Sequence, residues 1–278
     1  MQTPLPLGEM LANVRAKHPL VHNITNYVTV HDVANIILAC GGSPIMSDEP
    51  EDVVDITAIC DALNINIGTL NKNSIDAMFA AGEKAASLGH ALLLDPVGAG
   101  ASKLRTTTAL ELLASFKFTA IRGNISEIST LASGTGTTRG VDADAADAVT
   151  DGNIESKAAL AKAFAAKTGA VIAITGAIDL VADATRCCAI RNGTARMGGI
   201  TGTGCQLSGM SAAFLAANKE TPFEAMAAAI CAMGLAGEIA EKALLPGEGS
   251  ATFGNRIIDA ISLMTPETLD AGAKYALL

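Results

Sequence analysis

One stretch of the chain, Gly199-Ile200-Thr201-Gly202-Thr203-Gly204-Cys205, is a glycine- and threonine-rich loop that runs into the apolar segment from Gln206 to Ala217. Its glycines permit positive φ and let another group approach the backbone. A loop of this kind feeding a helix presents unpaired N–H groups and the positive end of the helix dipole, which together suit an anion. Cys205 sits at that terminus, where a thiol's pKa tends to fall. The same residues also read as a tight turn before a core helix that carries a buried cysteine.

Oxygen-bearing and cationic residues recur at the ends of apolar runs. Asp95 closes Ala91-Leu92-Leu93-Leu94 ahead of Pro96-Val97-Gly98, and reads either as a Mg²⁺ or water-bridged phosphate contact or as a turn residue. Asn124 and Glu127 form an N-x-x-E pair at a helix start, which can hold a hydrated Mg²⁺ or simply cap the helix. Arg122 has the forked donor geometry for a phosphate, or can pair with a surface acid. A metal, an anion hole and a thiol at one place suit phosphoryl transfer, in which positioning and charge stabilisation do most of the catalysis. Cys205 then lies beside the acceptor hydroxyl, as a base or as an orienting group.

Other chemistries lack their motifs. There is no Gly-Lys dipeptide, so no P-loop of the GxxxxGK[ST] type, and no GxGxxG. A serine hydrolase needs a GxSxG elbow or its equivalent and a histidine at a strand end, but all four histidines lie in the first third. The six cysteines form no CxxC pair and sit mainly in apolar runs, as reduced core residues do, which disfavours a zinc site. A net charge of −9 leaves no basic stripe for nucleic acid. No signal peptide is recognised, and the apolar run Ala225–Gly237 is too short to span a bilayer, so a cytoplasmic protein without a membrane partner is expected. Charged residues make up only 17% of the chain, which hints at apolar faces buried in an oligomer.

The elements that position these residues alternate. Helices are expected over Leu7–Lys17, Thr29–Cys40, Val53–Cys60, Asn73–Leu88, Thr107–Phe116, Ser126–Ala132 and Ile154–Thr168. Strands are expected over Pro19–His22, Ser43–Met46, Ala62–Ile67, Ala91–Asp95, Phe118–Arg122 and Ala170–Ile174. Asn23 to Asn26 reads as a polar loop, and Gly134 to Gly140 as an exposed one. Ile178–Ala182 and Cys187–Arg191 read as an antiparallel pair with Asn192-Gly193 as the turn. The C-terminal region is helical over 205–217, 222–243 and 254–263. This pattern predicts one α/β domain over residues 1–278, with three α/β/α layers and a mostly parallel sheet. Ligands bind at the carboxyl ends of such strands. There Asn26, Met46, Gly68, Asp95, Arg122, Asn124, Thr175 and the Gly202 loop gather.

Seven short motifs, in order, carry a resemblance. They are His22-Asn23-Ile24-Thr25-Asn26, Gly42-Ser43-Pro44-Ile45-Met46, Asn66-Ile67-Gly68-Thr69-Leu70, Leu94-Asp95-Pro96-Val97-Gly98-Ala99-Gly100, Ile121-Arg122-Gly123-Asn124, Ile174-Thr175-Gly176 and Thr201-Gly202-Thr203-Gly204-Cys205. Together they resemble the hydroxyethylthiazole kinase family, a branch of the ribokinase-like fold. The resemblance implies ATP- and Mg²⁺-dependent phosphorylation of 4-methyl-5-(2-hydroxyethyl)thiazole in thiamine salvage, and a homotrimer with active sites at subunit interfaces. It implies that Asn26, Met46, Gly68 and Gly202 touch the alcohol. Arg122, Thr175, Gly202 and Gly204 would contact ATP, Asp95 and Glu127 would help hold Mg²⁺, and Cys205 would be catalytic. A kinase for a related pyrimidine alcohol and a non-catalytic binding protein are the competing readings.

Overall fold

The computed structural model describes residues 4–134 and 148–278. Its strands are β1 (Leu20–Ile24), β2 (Ser43–Met46), β3 (Ala62–Asn66), β4 (Ala91–Asp95), β5 (Ala120–Asn124), β6 (Val171–Thr175), β7 (Asp179–Ala182), β8 (Cys187–Ile190) and β9 (Tyr275–Leu277). They form one sheet in the order β2-β1-β3-β4-β5-β6-β7-β8-β9. The pairings from β2 to β6 are parallel, and those from β6 to β9 antiparallel.

Strand periodicity makes the layers. In β3, Leu63 and Ile65 enter one core with Leu92, Leu94, Ile121 and Ile172, while Ala62 joins Val21, Leu93, Ala120 and Val171 in the other. The first core is covered by α4 (Lys72–Leu88), α5 (Lys103–Ser115), α6 (Ile125–Ser133) and α7 (Ile154–Thr168). The second is covered by α1 (Leu7–Lys17), α2 (Val30–Cys40), α8 (Thr203–Ala217), α9 (Pro222–Lys242) and α10 (Ser250–Leu263). The short helices α3 (Val53–Ile59) and α11 (Pro266–Gly272) complete the described α-helices, and Ala195–Gly199 forms a 3-10 turn. The expected three-layer α/β/α architecture with a mostly parallel sheet is the one observed.

Helix α8 is buried from Cys205 through Ala217, so it is apolar all round instead of amphipathic. Its small residues let neighbours close in: a Cβ added to Gly209 would stand 2.6 Å from Val33 Cγ1. Helix α9 is apolar and long enough to cross a membrane, but it is buried along most of its length as a core helix.

Several boundaries differ from the sequence reading. Asn23 and Ile24 belong to β1, not to a loop, and Asn23 is buried. Helix α5 begins earlier, because the Ser102 hydroxyl accepts from the Arg105 amide and caps it. The β7–β8 turn is not Asn192-Gly193. It lies at 183–186, where Asp183 accepts from the Thr185 and Arg186 amides at 2.8 and 2.6 Å. Asn192 instead follows β8 and ties the C-terminal segment, donating to Gly272 O and accepting from the Lys274 amide. Helix α11 and strand β9 were not expected. The loop expected over residues 134–140 lies, beyond Gly134, outside the described residues.

Candidate active site

Parallel pairing from β2 to β6 puts the carboxyl ends of those six strands on one edge of the sheet. Register sets residues at or next to those ends side by side: Asn23 beside Met46, Asn66 beside Asp95, and Asn124 beside Thr175. The N-terminus of α8 meets this edge. Gly202 is its N-cap at φ 89°, and a Cβ there would fall 2.6 Å from Thr29 Cγ2. Only glycine combines that backbone with that contact. The first bond of the helix runs from the Gln206 amide to Gly202 O. The Thr203, Gly204 and Cys205 amides therefore precede the helical ladder.

Asp95 is fully buried at the centre. Its Oδ2 accepts from Ser208 Oγ at 2.8 Å, Asn66 Nδ2 at 2.9 Å and Arg122 at 3.5 Å. Its Oδ1 has no hydrogen-bond partner. Burial raises its pKa, and the Arg122 charge and these hydrogen bonds work against that rise. Arg122 also donates to Thr175 Oγ1 at 2.6 Å, which joins β5, β4 and β6 in one polar chain.

Cys205 Sγ accepts from Asn26 Nδ2 at 3.1 Å and Asn66 Nδ2 at 3.3 Å. The position at a helix N-terminus suggested a lowered pKa. Burial and the nearby Asp95 charge push it up instead, against the Asn26 and Thr29 hydrogen bonds. The side chain is a thiol that receives two N–H donors. Asn26 is held in turn by Thr29 Oγ1, and Gly68 joins through its amide, which donates to Asn66 Oδ1 at 2.9 Å.

Glu127 serves as both a cap and a site neighbour. Its oxygens accept the Gly98 and Asn124 amides, each at 2.8 Å, and the Glu127 amide donates to Asn124 Oδ1 in return. Burial and the Asp95 charge push its pKa up to about 7. Among the described residues no three His, Cys, Asp or Glu side chains cluster as a metal cage. Asp95 Oδ1 is nevertheless a free buried acceptor. That donor set suits an ion that keeps water and phosphate ligands, as Mg²⁺ does.

Two cavities flank this network. The larger, about 590 Å³, is lined by Arg122, Asn124, Thr175, Thr203 and Gly204, with walls from the segment after β8 and from α9. The smaller, about 220 Å³, is lined by Asn23, Thr25, Met46, Asn66, Thr69 and Met78. Gly202 lines neither and acts through the helix start. The sequence reading gave no role to Asn66, Ser208 or Asp179. Asn66 carried a signal, as the polar last residue of an apolar strand. Ser208 lies one turn beyond Gly204 on α8. Asp179 lines the larger cavity and accepts from the Gly176 amide at 2.8 Å.

The sequence matches the family model described as the hydroxyethylthiazole kinase family over residues 11–267. It is 55% identical over 269 residues to a hydroxyethylthiazole kinase of Clostridium acetobutylicum, covering 97% of this chain and 98% of that one. The structure resembles that of a hydroxyethylthiazole kinase from Pyrococcus horikoshii, with a TM-score of 0.85 at 35% identity and 98% of each chain covered. A pyridoxal kinase from Staphylococcus aureus shares the fold, with a TM-score of 0.63 at 14% identity and coverage of 93% and 97%. A full-length sequence match and a shared ribokinase-like fold agree with the site's geometry: the chain belongs to the hydroxyethylthiazole kinase family.

Proposed function

We propose that this chain is a single kinase domain that transfers a phosphoryl group from ATP to the hydroxyl of 4-methyl-5-(2-hydroxyethyl)thiazole, in thiamine salvage. The observation that carries this reading is the buried Asp95–Asn66–Cys205 network at the start of α8, with a large cavity on one side and a small one on the other. ATP occupies the larger cavity, where Arg122 and Thr175 meet its phosphates. The Thr203 and Gly204 amides face the charge that builds on the transferred group. The alcohol occupies the smaller cavity against Met46, with Asn26 and Gly68 behind it and Gly202 fixing the loop.

Cys205 stands between them and orients the hydroxyl. A loose phosphoryl-transfer transition state demands positioning and charge stabilisation more than a strong base, so a protonated thiol is compatible with the reaction. Asp95 and Glu127 are the carboxylates that would hold Mg²⁺. The ion, when bound, neutralises charge on the phosphates.

We read the protein as cytoplasmic, supported by six free cysteines, and as a homotrimer with active sites at subunit interfaces. The trimer is supported by Tyr27, which borders the smaller cavity yet is 78% exposed beside the exposed Val28. A sedimentation measurement giving a monomer would remove that part.

The function is tested by ADP release with the thiazole alcohol, with a hydroxymethylpyrimidine and with no acceptor. Release dependent on the thiazole alcohol is expected. Release with the pyrimidine alone would replace the substrate, and none with any acceptor would leave a binding protein.

A further inference from the structure

We infer that Asn66 is a positioning residue of the phosphoryl transfer, setting the direction of every hydrogen bond between Asp95 and Cys205. The inference rests on the kinase reading above. A side-chain amide offers two donor hydrogens and two acceptor lone pairs. Asn66 uses all four: Nδ2 donates to Asp95 Oδ2 at 2.9 Å and to Cys205 Sγ at 3.3 Å, while Oδ1 accepts from Asn26 Nδ2 at 3.1 Å and the Gly68 amide at 2.9 Å.

Its orientation follows from those partners. Turned over, the amide would set its oxygen against the Asp95 carboxylate and its NH₂ against the Gly68 N–H. Both contacts would be repulsive, and buried polar groups would go unpaired. Only one direction of donation is open.

That direction decides what faces the reactants. Asp95 Oδ2 is filled by Asn66, Ser208 and Arg122, so its other oxygen is the one left free. Cys205 Sγ receives N–H groups from Asn26 and Asn66 on one side, so its own S–H points away from them. Asn66 also lines the smaller cavity, with an oxygen anchored to the Gly68 amide. One side chain thus aligns the carboxylate, the thiol and a wall of the acceptor cavity. Asn64 supplies the contrast. It lies two residues earlier on the same face of β3, is fully buried and donates to Asn23 Oδ1, but has no bond to Asp95 or Cys205.

The experiment compares steady-state kinetics of the wild type, Asn66→Ala, Asn66→Asp and Asn64→Ala, with a thermal melt of each. Asn66→Ala is expected to lower kcat about 100-fold, the scale of a lost positioning contact. Its KM for ATP should stay within about threefold, because Asn66 does not line the larger cavity. Asn66→Asp keeps the shape but replaces two donors by an acceptor, and is expected to lose at least as much. Asn64→Ala is expected to lower the melting temperature while keeping kcat within about threefold. If Asn66→Ala does not melt cooperatively, Asn66→Ser takes its place, with one donor kept and a smaller loss expected. Wild-type kcat in Asn66→Asp, or an equal fall in Asn64→Ala, would overturn the inference. A wild type that releases no ADP with any alcohol would overturn the kinase reading itself.

Discussion

The two sides of the first turn of α8 are built from different materials. The larger cavity has five glycines in its lining, Gly176, Gly193, Gly198, Gly204 and Gly234, beside apolar side chains such as Leu207, Ile230 and Met233, with Arg122 as its cation. The smaller one has no glycine in its lining and carries three side-chain amides, of which Asn66 belongs to a hydrogen-bond network and has no capacity left. A glycine-rich wall with one guanidinium leaves room and favours an anionic group. A saturated network of strand-end amides selects shape and direction, because removing one member leaves its buried partners unpaired. If, as proposed, ATP occupies the larger cavity and the alcohol the smaller, substitutions should act on the nucleotide side as graded losses of affinity and on the acceptor side as losses of rate.

The largest effect is expected at Asp95, which both sides share. Asp95→Asn should lower kcat by roughly 10³-fold, the upper range for removing one group that stabilises transition-state charge. Its melting temperature should not fall, since the carboxylate is fully buried and costly to keep ionised. A normal Mg²⁺ titration in that variant would make Asp95 a structural residue. Next comes Cys205→Ala, expected to lower kcat by roughly 10- to 100-fold with little change in KM for ATP. Cys205→Asp should keep more turnover than alanine, because a carboxylate is the stronger acceptor for the alcohol proton. A raised KM for ATP as the main effect would erase the distinction between the two sides.

Gly204→Ala probes the other side. Its new methyl would stand 2.7 Å from both terminal nitrogens of Arg122, which Thr175 and Asp95 hold in place. KM for ATP should rise roughly tenfold, the value of one charge-assisted hydrogen bond, with kcat less affected. The smallest effect is expected at Asp179, where burial raises the carboxyl from 3.8 to about 7. A raised pKa stabilises the fold while the group stays protonated, and that stability is lost as pH climbs through the window from about 4 to 7. Over that window the wild type should lose a few degrees of melting temperature relative to Asp179→Asn. Parallel melting curves would show Asp179 to be ionised throughout.

The parallel half of the fold was legible because each of its central strands is an apolar run ending in a polar residue. The antiparallel end was less so. Asn192-Gly193 is a strong hairpin signal, but the three donors that converge on Asp183 make the turn elsewhere. Strand β9 has three residues and no fully buried position, too little pattern to read. At the site, Asp95, Arg122, Thr175, Asn26 and Cys205 proved to share one network, as their places at strand and helix ends suggested. The direction of the Cys205 shift was not readable, because helix-terminus chemistry is local and burial among β1, β3 and β4 is not. The importance of Asn66 is not readable from sequence for a similar reason: it lies in four partners, three of them distant in sequence.

The edges of the sheet carry one more consequence. At one margin β2 is four residues long and contains Pro44, which has no N–H to offer. At the other β9 is shorter still. Both are poor templates for another strand. Copies of this chain are thus steered away from edge-to-edge stacking of the kind that nucleates fibres. Association between copies is left to surfaces away from the sheet margins, where Tyr27, Val28 and Leu38 are among the exposed apolar residues.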